Sequence, residues 1–154
     1  LLGMGPFSPE RAGALPTSGI LDLVFEENHD RASIEGLLSK ESGLKGYLGT
    51  ADLQQVEEKI KSGDSEADLI FQAMVYQICK EIAAMASVLK FEMDGILLTG
   101  GMANSQLLCT SISQRVQAIA EIYIEAGENE MEALAQAGLR ILLGAEPVKQ
   151  YTQK

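Results

Sequence analysis

The chain has 154 residues and a mass of 16.6 kDa, which is enough for one folded domain and leaves little room for two. Hydrophobic residues make up 46% of it and charged residues 22%, which argues against global disorder. The formal net charge of −10 disfavours nucleic acid as a partner, because a phosphate backbone would be repelled. No basic run is present that could hold the chain on an anionic membrane.

The rare residues limit the chemistry further. Cys79 and Cys109 lie far apart in apolar stretches, which predicts buried free thiols in a reducing compartment. With a single histidine, His29, and no cysteine cluster, a zinc site is excluded. The first residues lack the pattern of a signal peptide, and the uncharged stretch 95–114 is too polar to span a bilayer. We therefore expect a cytoplasmic protein without a membrane partner.

The N-terminal half is predicted to be a loop followed by short helices. Residues 1–16 are rich in proline and glycine, and long ordered loops of this kind are often functional. Three helices are predicted after it: 18–27, 31–39 with Asp30 as N-cap, and 51–61 with Thr50 as N-cap. The link 44–49 between them favours a short strand.

The longest predicted element is a helix over 65–90, with Asp64 as its N-cap. Its polar residues fall on one narrow stripe, and the remaining positions are apolar. Such a pattern is typical of a helix that is buried on most of its circumference.

The C-terminal half alternates strands and helices. The apolar run at 94–101 ends in Gly-Gly, which predicts a buried parallel strand entering a tight turn. A helix over 105–118, a strand over 121–125 and a helix from N-cap Asn129 to Leu143 follow. Because ligands bind beyond the carboxyl ends of parallel strands, residues 100–105 and 127–130 are expected at one functional edge.

Each candidate site residue also has a purely structural interpretation. Gly100 and Gly101 permit close approach of a nucleotide to a helix N-terminus, but they also suit an ordinary strand–helix turn. Glu130 could orient Mg²⁺ through water or simply favour the helix dipole. Arg11 could bind phosphate or form a salt bridge within its loop.

Several segments taken together resemble a known family: GPFSPERAGALP, SGLKGYLGTADLQQVEEKI, AMVYQICKEIAAMASVLK, DGILLTGGMANS and GENEMEALAQAGLRILLG. They are similar, in register from about Gly5 to Gly144, to the C-terminal half of the butyrate kinases. These enzymes belong to the acetate kinase family of the actin-like, sugar-kinase and Hsp70 ATPase superfamily. The resemblance implies an α/β, ribonuclease H-like domain over 17–146, a mixed sheet with flanking helices and a flexible tail over 147–154.

The resemblance also implies an activity, the reversible transfer of a phosphoryl group between ATP and a short-chain carboxylate, with Mg²⁺. By match to the family's motifs, Arg11 would contact the transferring phosphoryl group and Glu130 would assist Mg²⁺, through water. The implied nucleotide-binding residues are Gly100, Gly101, Met102, Ser105, Asp52, Leu53 and Gln54. Gln54 stands where the acetate kinases carry an arginine, so stacking of adenine on a guanidinium is not expected.

The chain departs from the family most clearly in what it lacks. Met4, Ala14 and Asn104 replace an acidic residue, a glycine and a tyrosine that are usual in butyrate kinases. The N-terminal companion domain and two phosphate loops would precede Leu1, so this chain alone is expected to be inactive. Two alternatives stay open: an ATP-binding module without activity, or a structural remnant that associates with a full-length kinase. A homo-oligomer is also expected.

Overall fold

The computed structural model describes residues 2–25, 27, 29–127 and 130–149. Helices and two strands follow one another in this order: α1 Thr17–Phe25, α2 Arg31–Lys40, α3 Gly43–Leu48, α4 Leu53–Lys61, α5 Ser65–Val88, β1 Ile96–Gly100, a 3₁₀ turn Gly101–Asn104, α6 Gln106–Val116, β2 Ile122–Ala126 and α7 Glu130–Leu142. The predicted order of helices and strands is confirmed from β1 onward. The predicted N-cap Asn129 and the tail beyond residue 149 lie outside the described residues.

Aspartates cap the helices that position the site. The carboxylate of Asp64 accepts hydrogen bonds from the backbone N–H groups of Glu66 and Ala67, both at 3.0 Å, as predicted. The predicted cap Thr50 is wrong. Asp52 caps α4 instead, accepting from Gln54 N at 2.9 Å, because the chain enters its helical path two residues later than the pattern suggested. Asp30 caps α2, as predicted.

The link 44–49 was predicted to be a strand and is a helix, α3. The carbonyl oxygens of Ser8 and Pro9 accept from the N–H groups of Leu44 and Lys45 at 3.1 and 2.9 Å. These contacts satisfy free donors at the start of the helix, a role that a local side chain usually fills. The helix therefore depends on a loop more than 30 residues away in sequence (residue 8 to residue 44).

The sheet joins β1 and β2 in parallel, in register from Ile96 opposite Ile122 to Gly100 opposite Ala126. The strands are connected through α6, which confirms the predicted β-α-β unit. The mixed sheet implied by the resemblance is not seen among the described residues, where the sheet consists of these two parallel strands.

The core is built around α5. Phe71, Met74 and Val75 of α5 are fully buried, and they belong to one apolar cluster with the other buried side chains: Phe7, Leu44, Val56, Cys79, Leu108, Ile112 and Val116. This helix is also long and apolar enough to cross a membrane, but its buried face places it as the central helix of a domain. The prediction that α5 is buried on most of its circumference is wrong. Leu69 is 66% exposed and Val88 is 71% exposed, because α3, α4 and α6 cover one side only.

Phe71→Ala is expected to lower the free energy of unfolding by about 3–5 kcal/mol, because it leaves a cavity in a fully buried site. Leu69→Ala is the matched control on the same helix, and it should change stability little because Leu69 is exposed. Urea unfolding followed by circular dichroism measures both. Equal losses for the two variants would contradict the assignment of the buried face.

The two thiols are expected to be unreactive in the folded protein. Cys79 and Cys109 are free and buried, and burial raises the pKa of each thiol. A raised pKa leaves less thiolate, the nucleophilic form, at neutral pH. A thiol reagent at pH 7 should label neither cysteine in native protein and both in urea. Rapid labelling of either one before unfolding would contradict this packing.

Candidate functional site

A cleft of about 560 Å³ separates the start of α4 from the 3₁₀ turn and the start of α6. All the predicted nucleotide residues except Gly100 line it: Asp52, Leu53, Gln54, Gly101, Met102 and Ser105. The remaining lining residues had not been assigned to nucleotide binding: Pro9, Ala51, Glu57, Asn104 and Gln106. The volume lies within the roughly 300–1,000 Å³ that is usual for small-molecule sites. We call this cavity the α4–α6 cleft.

Gly100 shapes the turn that forms one wall of this cleft. Its φ of 84° and ψ of −179° fall in a region that only glycine adopts readily. The carbonyl oxygen of Gly100 accepts a hydrogen bond from Gly127 N at 3.1 Å, which joins the ends of β1 and β2. The conformation of the turn therefore favours glycine at position 100.

Hydrogen bonds within the turn hold the wall in place. Ser105 N donates to Met102 O at 3.0 Å, and Asn104 Nδ2 donates to Gly101 O at 2.9 Å. The buried thiol of Cys109 donates to Ala103 O at 3.3 Å from beneath. The backbone at Gly101 is therefore fixed, and its Cα faces open space.

One side-chain contact joins the two walls of the α4–α6 cleft. The hydroxyl of Ser105 donates a hydrogen bond to the Glu57 carboxylate on α4. The same Ser105 oxygen accepts from Leu108 N at 2.9 Å, as the N-cap of α6. Since the hydroxyl has one proton, the direction of both bonds is fixed.

The charge of the cleft lining is acidic. Asp52 and Glu57 contribute carboxylates, and the lining contains no lysine or arginine among the described residues. Carboxylates accept hydrogen bonds and repel phosphate oxygens. The α4–α6 cleft therefore suits an uncharged group that carries hydrogen-bond donors, such as a nucleoside.

Arg11 lies in a second cleft of about 520 Å³, which the N-terminal loop forms with α2 and α5. Met102 lines both clefts, so the two cavities adjoin at this side chain. The guanidinium Nε of Arg11 lies 3.4 Å from Ser8 Oγ, and the side chain is otherwise exposed. We call this cavity the Arg11 cleft, and its cation complements the acidic cleft beside it.

The loop that carries Arg11 is anchored at several points. Phe7 is 5% exposed, and its N–H donates to Gln77 Oε1 of α5 at 3.1 Å. A Cβ at Gly43 would stand 1.9 Å from Ser8 O, so the loop backbone lies directly on α3. Residues 7–11 therefore have a defined path without being a helix or a strand.

The structure does not bring Glu130 into either cleft. Glu130 is the first residue of α7, and its side chain is exposed. Glu130 comes three residues after Gly127, whose N–H donates a hydrogen bond to Gly100 O. Glu130 therefore lies at the same edge of the sheet as the turn. Its part in binding Mg²⁺ stays a prediction.

Sequence reasoning missed Glu57. Leu53, Gln54 and Glu57 are spaced i, i+1 and i+4, so they share one face of α4. Once Leu53 and Gln54 were assigned to a ligand wall, this spacing was the signal that could have found the carboxylate.

The fold is similar to that of several solved carboxylate kinases. A propionate kinase from Francisella tularensis subsp. tularensis SCHU S4 has a TM-score of 0.73 at 21% identity over 82% of this chain. The Porphyromonas gingivalis acetate kinase gives 0.75 at 22% identity over 90%. The acetate kinase from Entamoeba histolytica gives 0.79 at 14% identity over 92%. This chain covers 38%, 41% and 43% of those proteins, respectively.

The sequence itself matches the acetokinase family over residues 3–149, nearly its whole length. The match includes the loop of Arg11, both walls of the α4–α6 cleft and the start of α7. The chain belongs to the acetokinase family.

Proposed function

We propose that this chain is the nucleotide-side, C-terminal half of a kinase of the butyrate kinase type. The reaction is the reversible transfer of a phosphoryl group from ATP to a short- or branched-chain carboxylate, giving an acyl phosphate and ADP. The observation that carries the proposal is the α4–α6 cleft. It gathers nearly all the residues that the family resemblance assigned to nucleotide binding, from segments about 50 residues apart (52–54 and 101–105).

The charge of the two clefts supports one orientation of the nucleotide. The nucleoside would occupy the acidic α4–α6 cleft, where uncharged donor groups are favoured over phosphates. The phosphates would extend past Met102 toward Arg11, the cation of the adjoining cleft. A guanidinium there stabilises charge on the equatorial oxygens of the transferring phosphoryl group.

Magnesium would be held mainly by the nucleotide phosphates. Among the described residues no group of three or more His, Cys, Asp or Glu side chains forms a metal site. Mg²⁺ in kinases is usually bound by substrate phosphates with one or two carboxylates and several waters. Glu130, exposed at the sheet edge, fits a contact through water, and the ion would supply neutralisation of phosphate charge.

The remainder of the active site would come from a preceding domain. The chain covers about two fifths of the length of each similar kinase. Large apolar side chains stay exposed on both strands and on α7, including Leu97, Tyr123 and Leu134. A companion domain would cover part of this surface and supply the carboxylate site. Association with a second copy stays a further prediction.

The isolated chain is expected to bind ADP weakly, because six of the seven residues assigned to nucleotide binding line one cleft within it. Gly101→Val should abolish that binding, since Gly101 lines the cleft and the added side chain would occupy open space where the ligand approaches. Isothermal titration calorimetry with millimolar ADP and Mg²⁺ measures ADP binding by the unchanged chain and by Gly101→Val.

Gly138→Val on α7 is the matched control. A Cβ at Gly101 or at Gly138 meets no atom within 4 Å, so the fold should accept either change. ADP binding that survives Gly101→Val, or no binding by the unchanged chain, would contradict the proposed nucleotide cleft.

Arg11→Ala is expected to lower kcat for acyl phosphate formation by about 10²-fold or more, with a smaller change in KM for ATP. The reason is that Arg11 would act mainly on charge that develops in the transition state. Hydroxamate trapping of butyryl phosphate measures the rate, using protein expressed from the complete reading frame that contains this chain.

Arg115→Ala is the control for a general loss of positive charge. Arg115 is exposed on α6, where it donates to Gln72 Oε1 at 3.1 Å, and it lines neither cleft. Its loss should leave kcat unchanged. An Arg11→Ala enzyme with normal kcat would remove Arg11 from the mechanism.

A further inference from the structure

The α4–α6 cleft contains a carboxylate to which the family resemblance assigned no role. Glu57 lies on α4, is partly buried and lines the cleft beside Gln54 and Leu53. Its position on the face shared with those two residues makes it part of the ligand wall.

Ser105 fixes the orientation of this carboxylate. Its hydroxyl proton is committed to Glu57 Oε1, because the Ser105 oxygen already accepts from the backbone of α6. Glu57 Oε2 has no hydrogen-bond partner among the residues that the structure describes, although the side chain is held in one position. One end of the carboxylate therefore links the walls, and the other end is free to accept.

The surroundings define which ligand group would meet Oε2. No basic residue lines the described part of the cleft, so no cation of the lining neutralises this oxygen, and it can accept from a donor group of a bound ligand. An ionised carboxylate is an acceptor only, which excludes phosphate and requires an O–H or N–H donor. A nucleoside offers such donors as the ribose hydroxyls and the exocyclic amino group of adenine.

We propose that Glu57 is a specificity-determining residue that accepts a hydrogen bond from a donor group of the bound nucleoside. This inference rests on the proposed nucleotide cleft and adds the recognition element within it. A preoriented carboxylate loses little side-chain entropy on binding, so the contact would favour nucleosides that carry the donor.

Glu57→Gln tests the contact with little disturbance of the fold. The amide oxygen of glutamine can still accept from Ser105, whereas its NH₂ group would replace Oε2 and face a ligand donor with another donor. We expect Kd for ADP to rise about tenfold, as for loss of a charge-assisted hydrogen bond. Glu58→Gln, an exposed neighbour outside the lining, is the matched control and should leave Kd unchanged.

Ligand analogues identify the donor. Calorimetry would compare ADP with 2′-deoxy-ADP, 3′-deoxy-ADP and purine riboside diphosphate, which lacks the amino group. The analogue without the contacting donor should bind the unchanged chain about tenfold more weakly than ADP, and Glu57→Gln should cause no further loss for it. A ribose analogue with this behaviour assigns the contact to the sugar, and the purine analogue assigns it to the base.

Three results would overturn the inference. Weakening of all four ligands by one common factor in Glu57→Gln would mean that Glu57 only sets the spacing of the walls. Binding of every analogue by the unchanged chain as tightly as ADP would also overturn it, and that result does not depend on the variant folding. Binding of no nucleotide at all would remove this inference and the proposed cleft together, whereas the first two results would leave the cleft intact.

Discussion

The packing of α5 against α3, α4 and α6 is the constraint on which both clefts depend. Phe71, Met74 and Val75 form the fully buried centre of this contact. Burial of apolar side chains is the main favourable contribution to folding. Aromatic residues make up only 5% of this chain, so most of that burial comes from aliphatic side chains and methionine. Because α4 and α6 pack on the same helix, their N-terminal ends are held a fixed distance apart, and the α4–α6 cleft lies between them.

The same helix also positions the Arg11 loop. Gln77 of α5 accepts from Phe7 N, and the Phe7 ring is buried in the common cluster. The loop in turn supplies the carbonyl groups that start α3. A proline- and glycine-rich segment without regular structure therefore acts as a structural part of the domain, and its fixed path gives Arg11 a defined place beside the α4–α6 cleft.

Separation of charge explains how so acidic a chain could handle an anionic ligand. The chain carries a formal charge of −10, and the α4–α6 cleft adds carboxylates where a nucleoside would lie. The cation of the neighbouring cleft is Arg11, next to the shared residue Met102. For an anion bound beside Arg11, this one guanidinium would outweigh the net charge of the chain. The reason is that repulsion from solvent-exposed carboxylates more than about 10 Å away is largely screened by salt.

The sequence alone determined the features that depend on neighbouring residues: the aspartate caps of α2 and α5, the parallel β-α-β unit and the glycine at the end of β1. The motif resemblance also selected six residues that the structure brings together in the α4–α6 cleft. Tertiary structure decided that Gly43–Leu48 forms a helix, since its capping carbonyls come from Ser8 and Pro9. It also decided that one face of α5 stays exposed, and that Glu57 joins the cleft through Ser105. Contacts between residues so far apart in sequence arise only when α5 brings their segments together.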